Sequence, residues 1–205
     1  MNASWPTNRI PSVTMAQLRI KAPAKINLCL EVLGKRPDHY HEVRTILQAI
    51  DINDEITFQS SSNLELELDP QSIFPDPSLL TDDNLILKAA RSIQDYTGIK
   101  TGAKITLNKS IPVAAGLGGG SSDAAATLRA LRKLWEVKIS DNALEEIASH
   151  LGTDVPFFLH GGTALGSGKG EVIVNLPAPN ANWVVVSNPM PTQIEKKTKR
   201  LYSLL

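Results

Sequence analysis

Between Ile111 and Ala126 the chain reads IPVAAGLGGGSSDAAA, with Gly116, Gly118, Gly119 and Gly120 inside five positions. Glycine at this density is poor core material. It removes Cβ atoms, opens φ > 0, and lets backbone N–H groups converge on a close anion. Ser121, Ser122 and Asp123 suit the start of a helix, and residues 124–135 carry the helix-forming series that follows. A glycine loop feeding a helix N-terminus points orphan N–H groups and the helix dipole at one spot, which favours phosphate. The pattern is not a Walker A loop, which needs Lys where Ser121 stands, nor a dinucleotide fingerprint, which needs Gly there.

Four other groups have the chemistry to act beside such a cradle. Asp154 lies in Gly152-Thr153-Asp154-Val155-Pro156, just past a helix end; it fits a turn-forming aspartate or a general base. Lys25 and Asn27 occupy the non-core phase of an alternating apolar run, so they face solvent or a cleft. Tyr40 and His41 suit stacking on and hydrogen bonding to a planar base, or packing on their own sheet. His39 and His41 have no third ligand nearby, so no protein metal site is expected. Phosphoryl transfer needs few parts: a phosphate cradle, cations, and a group that orients or deprotonates the acceptor. These residues supply candidates for all three.

The elements that must position them are mixed. Leu18, Ile20 and Ala22, then Ile26, Leu28, Leu30 and Val32 after Pro23, alternate with period two and predict strands with one buried face. A turn at residues 34–38 leads to a strand through Ile50, and Ile52, Ile56 and Phe58 continue the β pattern. Leu64, Leu66 and Leu68 alternate, and residues 69–77 read as loop. Asp82 or Asp83 is expected to cap a helix from Asn84 to about Tyr96, closed by Gly98. Ile105 and Leu107 form a short strand into Asn108-Lys109 and the glycine loop, after which Leu128, Leu131 and Trp135 share a helical face. Ser140 caps a further helix carried by Leu144, Ile147 and Leu151 and ended by Gly152. Residues 161–170 read as β-turn material before a strand from Val172 to Leu176, with a last strand from Trp183 to Val186. This order describes an α+β fold rather than a strictly alternating doubly wound sheet.

Composition bounds the rest. The chain has 205 residues, 42% hydrophobic and 20% charged, enough for one large domain or one domain with part of another. Its formal net charge is zero, which gives no electrostatic support for a nucleic-acid or membrane partner. Cys29 is the single cysteine; it excludes an internal disulfide and reads as a buried strand residue. No stretch approaches the roughly 18 apolar residues of a membrane span. Residues 1–14 lack an apolar signal core and any periodicity; they read as a disordered or misassigned extension before Met15, and a cytoplasmic protein is expected. The basic run Lys196-Lys197-Thr198-Lys199-Arg200 reads as a solvated helix face.

Pro23-Ala24-Lys25-Ile26-Asn27-Leu28, then Asp38-His39-Tyr40-His41, then Asn108-Lys109, then Pro112-Val113-Ala114-Ala115-Gly116-Leu117-Gly118-Gly119-Gly120-Ser121-Ser122, and finally Gly152-Thr153-Asp154-Val155-Pro156 recur in one family's order. From about Leu18 to Leu205 the chain resembles the GHMP kinases (galactokinase, homoserine, mevalonate and phosphomevalonate kinases). The glycine loop alone indicates that superfamily. The other motifs point to its branch in non-mevalonate isoprenoid biosynthesis, whose acceptor is a small cytidine diphosphate-linked alcohol.

The resemblance implies a GHMP kinase N-terminal domain of the ribosomal-protein-S5-like α+β fold over residues 15–181, with residues 182–205 beginning a second, truncated domain. It implies ATP-dependent phosphorylation of the acceptor's 2-hydroxyl, with ATP and Mg2+ as cofactors and a monomer or weak homodimer as the working form. Asp154 matches the catalytic base and Lys25 the lysine beside it. Asn27, Tyr40 and His41 match the acceptor site, with Tyr40 and His41 on the cytosine ring. Residues 112–122 match the ATP phosphate loop, Asn84 and Lys109 match nucleotide-side positions, and Ser121 or Ser122 helps position the metal. Two departures stand out: His39 replaces a common glycine, and with the second domain cut short one wall of the cleft is expected to be missing. The alternatives are another GHMP small-molecule kinase, or a non-catalytic nucleotide-binding fragment.

Overall fold

The computed structural model describes residues 17–180 and 183–188. Strand β1 (Gln17–Lys35) turns through residues 36–40 into β2 (His41–Ser61), and the two pair antiparallel along nearly their whole length. With β1 along one edge of β2, the other edge is shared: β5 (Thr163–Ser167) takes residues 45–48 and β4 (Gly102–Asn108) takes residues 55–61. β3 (Glu65–Leu68) joins β4 in parallel and β6 (Val172–Leu176) joins β5 antiparallel, giving the order β3-β4-β2-β5-β6 with β1 on β2. The mixed sheet and separate helices make an α+β fold, as the element order predicts.

Helices α1 (Leu85–Thr97), α2 (Gly119–Leu134) and α3 (Asp141–Leu151) pack with the short α4 (Val155–His160). Ile86, Ala89 and Ile93 of α1 recur at helical spacing and are buried with Leu128 and Leu131 of α2 and Ile56, Phe58, Ile105 and Leu107 of the sheet. Ala124, Ala125 and Ala126 bring α2 close to the sheet, because a small side chain permits near approach of the helix backbone. Ser140 caps α3 by accepting from the Ala143 amide at 3.2 Å, and Gly98 ends α1 in the left-handed region at φ 74°.

Five local expectations change, and the apolar residues 157–159, for which no element was expected, prove helical. Asn84, rather than Asp82 or Asp83, caps α1, its Oδ1 accepting from the Ile86 amide at 2.8 Å. α2 begins at Gly119, before the alanines, so Ser122 and Asp123 lie inside its first turns. Residues 157–159 belong to the helix α4, whose Pro156 sits in the first turn, where a missing N–H is tolerated. The glycine-rich segment 161–170 holds β5, with Thr163 and Ala164 buried and positive-φ glycines at its ends. Cys29 is exposed, because β1 from Leu28 onward runs beyond the helical layer. Residues 183–186 form no strand; Trp183 is fully exposed, while Val186 packs on Ala24, Ile111 and Leu117. The extension 1–14, most of the segment 182–205 and the basic run near Lys196 lie outside the described residues.

Candidate active site

The glycine loop leaves β4 and closes against β1 and α4. Leu117 is its buried anchor, grouped with Ala24 and Ile111, and its carbonyl accepts from the Lys25 amide at 2.9 Å. Gly116 and Gly118 take φ of 80° and 73°, and Ala114 adopts the same left-handed region at 57°. A Cβ on Gly118 would lie 2.8 Å from Phe158 Cζ and 3.1 Å from Lys25 Cγ, so the loop, β1 and α4 meet with no room for a side chain. Gly118 is also the N-cap of α2, and no side chain caps that helix. The open amides of a 16-residue helix therefore face the loop's concave side.

That concavity is a cavity of about 340 Å3 lined by residues 112–121 together with Leu79, Asn84, Leu85, Leu107, Lys109 and Asp123. A larger groove of about 750 Å3 lies along α2 and α3, but it is lined by the Arg132–Asp141 and His160–Glu145 ion pairs and has no glycine cradle. The smaller cavity is the one enclosed by the glycine loop and the start of α2. Ser121 lines it; Ser122 is buried, with its Oγ unpartnered among the described residues, and its amide donates to the Gly118 carbonyl at 2.9 Å. Asn84 borders the same cavity, yet its side chain is occupied in capping α1 and donating to the Leu79 carbonyl at 2.8 Å.

Beside the cradle stand Lys25 and Asp154. Lys25 Nζ lies 3.6 Å from Asp154 Oδ2, the lysine side chain only 9% exposed and the aspartate 34%. The same ammonium donates to Asn27 Oδ1 at 2.8 Å. Asn27 Nδ2 in turn donates to Thr45 Oγ1 at 2.8 Å, and Thr45 Oγ1 to the Cys29 carbonyl at 2.7 Å, so a buried hydroxyl fixes the amide that holds the lysine. Asp154 occupies the N-cap position of α4 but its carboxylate makes no capping bond. Its side chain is not spent on the turn and remains directed at Lys25. The Gly152 backbone of this turn reaches α2, where a Cβ would lie 4.0 Å from Ser121 Oγ.

Lys109 does not offer a free cation. Its Nζ is buried beneath the cradle, where a Cβ on Gly119 would lie 2.9 Å away, and it is paired with Asp54 Oδ2 and, at 2.9 Å, with Asp123 Oδ2. Asp54 Oδ1 also accepts from the Ser110 and Ile111 amides at 2.6 and 2.8 Å. Burial pushes the Asp123 carboxyl up to about 7, with the Lys109 charge opposing and the Asp54 charge reinforcing the rise. Desolvation works to lower the Lys109 ammonium, but the charges of Asp123 and Asp54 outweigh it and the net shift is upward. Sequence reasoning passed over Asp54 and Thr45. A signal existed for Asp54: it shares the inward phase of Ile56 and Phe58 on β2, an odd position for a carboxylate.

Tyr40 and His41 stand apart from this cluster, at the turn of the β1–β2 hairpin. Lys35 pairs with His41, whereas Asn27 pairs with Leu47, six β2 positions away, a strand path of roughly 20 Å. Tyr40 is exposed, with Lys169 Nζ 4.9 Å from its ring centroid. His39 takes φ 65°, so the turn adopts the left-handed conformation without a glycine. The Asp38 carboxylate accepting from the Tyr40 amide at 3.1 Å and the Arg36 pairs to Asp38 and Glu42 hold it there.

Comparison with known proteins places this geometry. Residues 84–162 match the family model described as GHMP kinases N terminal domain. The chain is 45% identical over 187 residues to 4-diphosphocytidyl-2-C-methyl-D-erythritol kinase of Caldanaerobacter subterraneus subsp. tengcongensis, covering 91% of this chain and 62% of that protein. It is also 45% identical over 175 residues to the Bacillus cereus protein of the same name, covering 84% and 59%. The chain thus spans about 60% of the length of these relatives. A crystal structure of 4-(cytidine 5'-diphospho)-2C-methyl-D-erythritol kinase superposes with a TM-score of 0.67 at 37% identity, over 79% of this chain and 56% of that one. Methanococcus jannaschii mevalonate kinase shares the fold at a TM-score of 0.58 and 20% identity, over 80% and 56%. Over residues 84–162 the chain thus has the sequence of a GHMP kinase N-terminal domain, and its fold is shared with a kinase structure at 37% identity.

Proposed function

We propose that this chain belongs to an ATP-dependent kinase that phosphorylates the 2-hydroxyl of 4-diphosphocytidyl-2-C-methyl-D-erythritol in the cytoplasm. The observation that carries the reading is the Lys25–Asp154 pair, 3.6 Å apart, set against an uncapped helix N-terminus and its glycine loop. The open amides of α2 and the loop bind polyphosphate, and Lys25 adds a cation at the edge of that cradle. Asp154, free of capping duty, takes the proton from the acceptor hydroxyl as that oxygen forms its bond to phosphorus. Lys25 holds Asp154 in place and offsets the charge that develops on the oxygen. ATP, when bound, would supply the γ-phosphoryl group, the bond from its phosphorus to the bridging oxygen breaking as ADP leaves, and Mg2+ would offset the negative charge of the phosphates.

The donor set fits a nucleotide-held metal. No cluster of three His, Cys, Asp or Glu suited to a metal occurs among the described residues, and Mg2+ in such sites is bound largely through substrate phosphates. The Ser121 hydroxyl at the cavity wall is the side chain placed to assist; Ser122 is turned inward. At the other end of the hairpin, Tyr40 and His41 take the cytosine ring, and an extended diphosphate-linked acceptor spans the path between the two sites.

Asp154→Asn tests this directly. Transfer should fall by at least about a hundredfold, while ATP affinity measured by calorimetry stays near that of the parent chain. Retention of most of the activity would remove Asp154 as the base. A panel of alcohols decides the acceptor: turnover of an acceptor without the cytidine end at comparable kcat/KM would reassign the chain to another GHMP small-molecule kinase. ATP binding with no transfer at saturating acceptor would identify a non-catalytic nucleotide-binding fragment.

A further inference from the structure

The last rung between β2 and β4 pairs Glu55 with Asn108. Past that rung the chain leaves the sheet, and its next amides have lost the β-ladder. Buried amides must find partners elsewhere. The Lys109 amide donates to Ser72 Oγ at 2.9 Å, and the Ser110 and Ile111 amides both donate to Asp54 Oδ1, one residue beyond the final rung on β2. The other oxygen of the same fully buried carboxylate holds Lys109 Nζ, which reaches Asp123 in the first turns of α2.

We infer that Asp54 is a positioning residue of the nucleotide cradle, tying the central strand, the start of the glycine loop and the first turns of α2 through one carboxylate. This rests on the nucleotide-binding part of the proposed function. Asp54 touches no substrate; it acts through the Ser110 and Ile111 amides and through Lys109. A polyphosphate site made of backbone N–H groups works only if those groups are held within about 0.5 Å of their productive places. The glycines that let the loop approach phosphate also leave it unable to fix itself. Asp54 supplies that fixity from a strand held on both edges, and the Lys109 ammonium it anchors lies directly under Gly119.

The test uses the 205-residue chain and ATP as the probe. Asp54→Asn keeps the shape and removes the charge that holds Lys109; Ile56→Val, two residues along the same strand, lowers stability without touching the cradle. ATP affinity of each folded variant is measured by calorimetry well below its melting temperature, with folding followed by circular dichroism. Asp54→Asn should weaken ATP binding about tenfold or more, and Ile56→Val should stay within about twofold of the parent. Where Asp54→Asn alone does not fold, the doubly neutral Asp54→Asn/Lys109→Met chain, which leaves no unpaired buried ammonium, is measured instead, with the same loss expected. A variant at residue 54 that is less stable yet binds ATP like the parent would reduce Asp54 to a structural role and overturn the inference alone. A parent chain that binds no ATP would overturn the inference together with the proposed function.

Discussion

The β1–β2 hairpin has two unlike halves. Toward Gln17, Ala22, Ile56 and Phe58 are fully buried in the main core beside α2, and Ala24 is fully buried against Ile111 and Leu117. Toward the turn, Leu28, Leu30 and Val32 are 54%, 49% and 37% exposed although they alternate in the same strand. The local pattern is shared and the burial is not. Period-two alternation makes a strand with two distinct faces, but only a second layer makes one of them dry. Lys25 and Asn27 stand at the boundary between the halves. The lysine stem is buried by the covered side while its ammonium meets Asp154, which keeps a third of its surface in water. A boundary of this kind desolvates the pair enough to strengthen it and leaves the carboxylate open to solvent.

Truncating one residue from each half should expose the contrast most strongly. Phe58→Ala is expected to lower the free energy of unfolding by about 3–5 kcal/mol, and Leu30→Ala by less than about 0.5 kcal/mol, both read from chemical denaturation. Comparable losses would mean that the outer half is covered in solution. A second measurement probes the buried charges of the covered half. The folded Asp123 carboxyl, raised to about 7 from its ordinary 3.8, binds its proton more tightly than in the unfolded chain. Its contribution to stability is therefore complete below about pH 4 and lost as pH rises through about 7. Asp123→Asn should flatten that decline in melting temperature between pH 4 and 7; an unchanged slope would place the titration elsewhere. The smallest effect belongs to the exposed turn. His39→Gly removes a left-handed strain of about 1–2 kcal/mol and returns part of it as unfolded-chain entropy. A net gain of under about 1 kcal/mol is expected, and a loss would show that the His39 side chain anchors the turn.

Helix α3 was legible because apolar spacing, an N-cap serine and a terminal glycine agree, and α1 from its spacing and Gly98 although its cap is Asn84. The junction of the glycine loop with a helix was legible for the same local reason, although that helix begins at Gly119 rather than at the alanines. What escaped depends on distant partners. β5 hides in a glycine-rich segment because its strand character comes from pairing with β2 and β6, and Gly166 is admitted there by the Thr45 methyl, 3.1 Å from where its Cβ would be. Cys29 lies in an apolar run but on the phase of Lys25 and Asn27, in a part of β1 that no layer covers. Asp54 and Lys109 are 55 residues apart, and nothing near either announces the other. Lys25 read from its own neighbours as an ordinary solvated lysine; the resemblance supplied its partner, and the structure sets that partner 3.6 Å away.

The bond from the Lys25 amide to the Leu117 carbonyl joins strand β1 to the glycine loop through a single peptide group on each side. Strand and loop are consequently not modular. Redesigning β1 around Lys25 would shift the same backbone that seats the loop, so any substitution aimed at one has to be checked for its effect on the other.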